Sequence, residues 1–180
     1  NGQRCLSYQT QTKNLMPKEF RPMIRNVIYG CDICQIVCPF NKGKNFHFHP
    51  EMEPDPEAVM PELVPMLTMS NKEFKVKFGP MSGSWRGKKP LQRNAIIALV
   101  NSKATNTIPQ LLEVIDHDPR PVIRATAAWA VVELSDLRNE ALLNFLTSAR
   151  TKENSVAEVD PEILDEYDQA IAKLRALPEL

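Results

Sequence analysis

Four cysteines carry the chemistry this sequence can perform: Cys5, Cys31, Cys34 and Cys38. The last three stand in the run Tyr29-Gly30-Cys31-Asp32-Ile33-Cys34-Gln35-Ile36-Val37-Cys38-Pro39, which is C-x2-C-x3-C-P. Thiolates are ligands for zinc and for iron–sulfur clusters, and a C-x2-C pair can also work as a thiol redox couple. No cysteine follows Cys38 in the 180-residue chain. A disulfide framework would normally spread its bridges through a small secreted domain, so this clustering argues for metal.

Pro39 favours an iron–sulfur cluster over an ordinary zinc knuckle. In the repeat C-x2-C-x2-C-x3-C-P of bacterial ferredoxins, the cysteine before proline ligates a different 4Fe-4S cluster from the other three. This chain has the last three cysteines of that repeat, while Ile28 holds the place of the first and Cys5 lies far upstream. Two arrangements follow. All four cysteines close one 4Fe-4S cluster, or Cys5, Cys31 and Cys34 serve one cluster while Cys38 crosses to a second. The second matches ferredoxin logic and leaves ligands to be supplied by another segment. The chain begins at Asn1 in what reads as running sequence, so it is expected to be the C-terminal part of a longer protein. A structural zinc site of four thiolates is the competing reading. His47 and His49 alternate with Phe46 and Phe48, and packing or solvent contact suits them better than ligation.

A second candidate is Ser84-Trp85-Arg86-Gly87-Lys88-Lys89-Pro90-Leu91-Gln92-Arg93. Arg and Lys contact phosphate, and aromatic or guanidinium planes stack on unpaired bases. Trp85, Arg86, Lys88, Lys89 and Arg93 are therefore candidate RNA contacts. The alternative has Trp85 packed in a domain junction and the lysines solvated. Charge is segregated although the net is zero: +5 over residues 1–50, −5 over 51–70, +6 over 71–93 and −6 over 94–180. The basic blocks could face a polyanion.

These groups need elements to position them. Pro17 to Arg25 has a short helical pattern with Phe20, Met23 and Ile24 on one side, interrupted by Pro22. Residues 41–50 read as loop. The acidic, proline-rich stretch 51–65 reads as a connector, with Leu63, Met66 and Leu67 able to cover a core. Ser70-Asn71-Lys72-Glu73 is a capping box that starts a helix running to about Phe78. Helical segments follow at 91–100, from Ile108 through Leu111, Leu112 and Ile115, at 122–134 and at 139–148. Arg93 and Arg124 are 31 residues apart, and Ala98 and Ala130 are 32 apart, the period of short helix-pair repeats. Asp160-Pro161 caps a terminal helix striped by Ile163, Leu164, Tyr167, Ile171 and Leu174, with its acidic face in solvent. The predicted fold is mainly α: a ferredoxin-like iron–sulfur segment at 1–50, a connector at 51–84, and a short α-α solenoid of HEAT-like repeats at 85–180. No apolar run reaches the ~20 residues of a membrane span. Thiol-bound clusters without a secretion signal favour the cytoplasm.

The order of these features resembles the epoxyqueuosine reductase family. The resemblance rests on Arg4-Cys5-Leu6-Ser7-Tyr8, Arg21-Pro22, Ile28 to Gln35, Val37 to Lys42, and Leu91-Gln92-Arg93-Asn94-Ala95, and weakens after Leu134. It implies a tRNA-modifying oxidoreductase that removes the epoxide oxygen of epoxyqueuosine at the wobble position. It implies two 4Fe-4S clusters and a cobalamin, with the HEAT-like part holding the anticodon stem-loop. By the same resemblance Cys5, Cys31 and Cys34 serve one cluster with a crossing cysteine from upstream, and Cys38 completes the other. Cobalamin binding and the catalytic acid fall to the upstream part, so no catalytic residue is assigned to this chain. Its expected role is electron relay and tRNA docking, as a monomer served by an electron donor of unspecified identity. Two other functions remain: a zinc-stabilised helical adaptor, and a generic two-cluster electron carrier.

Overall fold

Proline and cap residues decide where the helices begin. The Ser70 hydroxyl accepts from Glu73 N–H while the Glu73 carboxylate accepts from Ser70 N–H, so both ends of a capping box are closed. The Asn139 and Asp160 side chains accept from Leu142 N–H and Glu162 N–H. Pro121 and Pro161 occupy first-turn positions, where a missing N–H costs nothing. Gly87 has φ +80°, a conformation that favours glycine, and turns the chain into the helix that begins at Lys88.

The computed structural model describes residues 1–44, 49–53, 55–155, 158 and 160–179. Among these the helices in chain order are α1 (Leu6–Gln11), α2 (Ile33–Ile36), α3 (Pro56–Val59), α4 (Leu63–Thr68) and α5 (Asn71–Phe78). They continue with α6 (Lys88–Asn101), α7 (Ile108–His117), α8 (Pro121–Glu133), α9 (Glu140–Asn154) and α10 (Pro161–Ala176). No strand occurs among the described residues. His47, Phe46, Phe48 and Pro54 lie outside them.

The main core is built around α8. Its Ala125, Ala127, Ala128 and Ala130 are fully buried, and these small side chains let α6, α7 and α10 approach from different sides. Leu111 and Ile115 of α7, Leu143 and Leu146 of α9, and Ile163, Tyr167, Ile171 and Leu174 of α10 complete the core. α8 thus packs against α6, α7 and α10, and α10 packs against α9 as well. α9 runs six residues beyond the expected end at Ser148, and α6 begins at Lys88, before the expected Leu91.

The N-terminal segment packs onto this body. Met16, Phe20 and Ile24 close around Ile97 of α6. Met23, expected on the same side, is half exposed, because the chain there forms 3-10 and turn structure rather than a regular helix. A second small core joins Met66, Phe74, Phe78, Leu91 and Ala95, with Ile28 and Tyr29 packed against it. The acidic face of α10 is not purely solvated. Glu166 is buried and accepts two hydrogen bonds from Arg21, at 2.6 and 3.0 Å. Arg21 also lies 4.5 Å over the Trp129 ring and donates to Met16 O, so α10 is bolted to the N-terminal segment.

Candidate functional site

The four thiols lie on the N-terminal segment and are unpaired. Cys5 precedes α1 and is exposed; Cys34 sits within α2 and is exposed; Cys31 and Cys38 flank α2 and are half-buried. α2 is a single turn, and its end is tied by Asn41 Nδ2, which donates to Gln35 O and Gln35 Oε1. Pro39 starts a 3-10 turn directly after Cys38. Gly30, with φ +68°, turns the chain into Cys31, and its N–H donates to Thr10 Oγ1. Tyr29 lies over Gly83 so closely that a Cβ there would stand 2.1 Å from its ring. A hollow of about 510 Å³ opens beside Cys31, between Asn26 to Asp32 and Val59 to Leu63.

Around the thiols the surface is unusually apolar. Ile36, Val37 and Phe40 are 78, 69 and 85% exposed, and Ile33 is half exposed. Among the described residues no three His, Cys, Asp or Glu side chains are gathered as a metal-holding group. The donor set itself fits iron–sulfur ligation: four free thiols, two of them exposed, with Cys31, Cys34 and Cys38 at ferredoxin spacing and Cys5 upstream of them. His49 is exposed and bonds Glu51 at 2.9 Å, away from any thiol partnership.

The basic run divides. Trp85 is 72% exposed and does not pack in a junction, and the Arg86 guanidinium lies 4.2 Å over its ring. Lys88 donates to Met69 O, and burial with the nearby Arg120 charge holds its pKa down. Lys89 is also held below the usual lysine range, first by burial and then by the like charges of Arg120, Arg93 and Lys13. An anion beside Lys89 would relieve that repulsion. Arg93, by contrast, is fully buried and is corrected as an RNA contact. Its guanidinium donates to Gln9 O, Thr12 O, Thr12 Oγ1, Asn14 O and Asn94 Oδ1. Burial and the Arg21 charge lower its pKa to about 10, which leaves it protonated at neutral pH. Arginine is the side chain whose planar fork can satisfy so many carbonyls, and composition alone gives no sign that this one points inward.

Sequence reasoning also missed Glu166 and Glu153. Glu153 of α9 is buried and binds Arg124 of α8 through two hydrogen bonds, at 2.5 and 2.8 Å. A glutamate at a buried helical position is legible only once its cationic partner is known.

Comparison with known proteins places these features in a family. The family described as a 4Fe-4S double cluster binding domain matches residues 1–41. The epoxyqueuosine reductase of Bacillus subtilis is 54% identical over 98% of this chain and 44% of its own length. That of Bacillus cereus is 51% identical over 97% of this chain and 44% of its own length. A crystal structure of epoxyqueuosine reductase with an epoxyqueuosine-modified tRNA-Tyr stem loop superimposes with a TM-score of 0.86 at 53% identity, covering 98% of this chain and 45% of that one. The chain therefore spans less than half the length of these relatives, and over that span it belongs to the epoxyqueuosine reductase family.

Proposed function

We propose that this chain is the electron-relaying and tRNA-docking part of a reductase that converts epoxyqueuosine to queuosine at the tRNA wobble position. The observation that carries the reading is the coincidence of two matches. The cysteine-bearing segment falls within a double-cluster family, and nearly the whole chain superimposes on a reductase bound to its tRNA stem loop. In this reading residues 1–50 form part of a ferredoxin-type domain, 51–84 connect, and 85–180 are HEAT-like repeats. The protein works in the cytoplasm as a monomer. Among the described residues no helix is long and apolar enough to cross a membrane.

Cys5, Cys31 and Cys34 would hold one 4Fe-4S cluster together with a thiolate from another segment, and Cys38 would complete a second. Such clusters supply single electrons at potentials tuned by burial and by hydrogen bonds to sulfur. The exposed Ile33, Ile36, Val37 and Phe40 would exclude water from the cluster lobe once it is assembled. The reaction also implies cobalamin, for which no residue of this chain is assigned. Trp85, Arg86, Lys88 and Lys89 would meet the stem-loop, with Arg and Lys on phosphate and the exposed Trp85, already overlain by Arg86, offering an aromatic plane to a base.

The test is iron, sulfide, zinc and cobalt per chain on the full-length protein, purified without oxygen and supplied with cobalamin. About eight irons with matching sulfide and about one cobalt are expected. Stoichiometric zinc without iron would leave a metal-stapled helical adaptor instead, and iron without cobalt a generic electron carrier. Cys34→Ala is expected to lose one cluster and turnover together; retained iron with full turnover would remove Cys34 from the ligand set.

A further inference from the structure

Asn94 is fully buried on α6, and its amide is fully used. One nitrogen, Nδ2, donates to Thr10 O at 2.7 Å and to Ile28 O at 2.8 Å. An amide NH2 has two hydrogens, so both donors are consumed by carbonyls 18 residues apart in sequence. The oxygen, Oδ1, accepts from Arg93 Nε at 3.1 Å and from Arg93 Nη2 at 2.9 Å. That grip orients the amide, so the NH2 cannot flip away without stranding a buried guanidinium. Arg93 meanwhile holds Gln9 O at 2.6 Å and Thr12 O at 2.9 Å.

The two carbonyls belong to the two approaches to the candidate cluster. Thr10 lies at the end of α1, whose other end is capped by Cys5, and a one-and-a-half-turn helix transmits position rigidly. Ile28 is three residues before Cys31, and the intervening Gly30 N–H is held by Thr10 Oγ1 at 3.1 Å. No other described side chain donates to both approaches. We propose that Asn94, oriented by Arg93, is a positioning residue that sets Cys5 against Cys31 for a shared cluster. The proposal rests on the cluster reading above and goes beyond it. It assigns to the helical-repeat body the task of building a ligand set that lies on another segment.

Asn94→Ala removes the bridge, and Asn94→Asp keeps the shape but cannot donate to either carbonyl. Both are made in the full-length protein, beside Leu146→Ala, a core truncation in α9 remote from the thiols. Each is checked for folding by circular dichroism and then measured for iron, sulfide and the electron paramagnetic resonance of the reduced clusters. Both Asn94 variants are expected to hold about half the wild-type iron and to lose one of two cluster signals. Leu146→Ala is expected to keep both. Full iron with an unchanged spectrum in Asn94→Ala would overturn the proposal and leave the cluster reading intact. Equal iron loss in Leu146→Ala would also overturn it, by reducing the effect to general stability. Wild-type protein without iron would remove the cluster reading itself, and the proposal with it.

Discussion

Arg21 and Glu166 hold each other across 145 residues of sequence, with side chains only 3 and 5% exposed. Replacing one partner strands the other charge in the interior, which costs far more than the pair contributes when intact. Arg21→Met is therefore expected to lower unfolding free energy by about 3–5 kcal/mol, measured by urea denaturation. A loss below about 1 kcal/mol would mean that Lys18, 3.8 Å from Glu166, or water takes over the carboxylate. Asp118, between α7 and α8, shows the opposite use of a carboxylate. Burial alone would raise its pKa, but hydrogen bonds from the Arg120 guanidinium and backbone, the Arg120 charge and Gln92 outweigh burial and hold it low. A depressed folded pKa gives stability that is complete above the unfolded value, ~4, and disappears as pH falls through the folded value. Asp118→Asn should flatten the fall of Tm on acidification below pH ~4. An unchanged slope would show that other carboxylates drive acid unfolding.

At the scale of elements, α8 is the helix the others close upon. It carries alanine where neighbouring helices approach, so the interhelical spacing is set by the smallest side chains available. Ala128→Leu adds volume where rotamers have no free space, and is expected to cost about 1–3 kcal/mol or to displace α10. Thermal unfolding with crystallography of the variant would check this, and a wild-type Tm would reveal an unrecognised void. α6 has a different design. Asn94 and Asn101, one heptad apart, each donate to two backbone carbonyls of the N-terminal segment, Asn101 to Arg21 O and Arg25 O at 2.8 Å each. Ile97 lies between them in the small apolar core with Met16, Phe20 and Ile24. One helix face thus templates an irregular segment that has too little regular structure to hold itself.

Over the whole molecule, a neutral chain presents a basic run next to an acidic helical body. If the basic run contacts RNA phosphates as proposed, binding should weaken with salt in proportion to the number of those contacts, whatever the net charge of the chain. With Arg86, Lys88 and Lys89 changed together to Gln, the slope of log K against log salt for the tRNA stem-loop should fall by about 0.7–0.9 per lost contact. Fluorescence anisotropy from low to physiological salt reads it directly. An unchanged slope would leave this run a solvated face.

Much of this was legible in the sequence because it is local. The cysteine spacing with Pro39 pointed to the 4Fe-4S family that matches residues 1–41, the capping box at Ser70 started α5, and Asp160-Pro161 started α10, since each signal lies within a few residues of its effect. The stripe of Leu111 and Ile115 announced a buried helix face in the same way. What only the tertiary structure decided is where long side chains go. Arg86 and Arg93 stand in one basic run, yet the first lies over an exposed indole and the second is buried among carbonyls of residues 9–14. Glu166 reads as one acid among several on α10, yet it alone of that face meets Arg21. A flexible charged side chain takes the direction in which its partners lie, and those partners are brought near by packing between segments up to 145 residues apart, which no local pattern encodes.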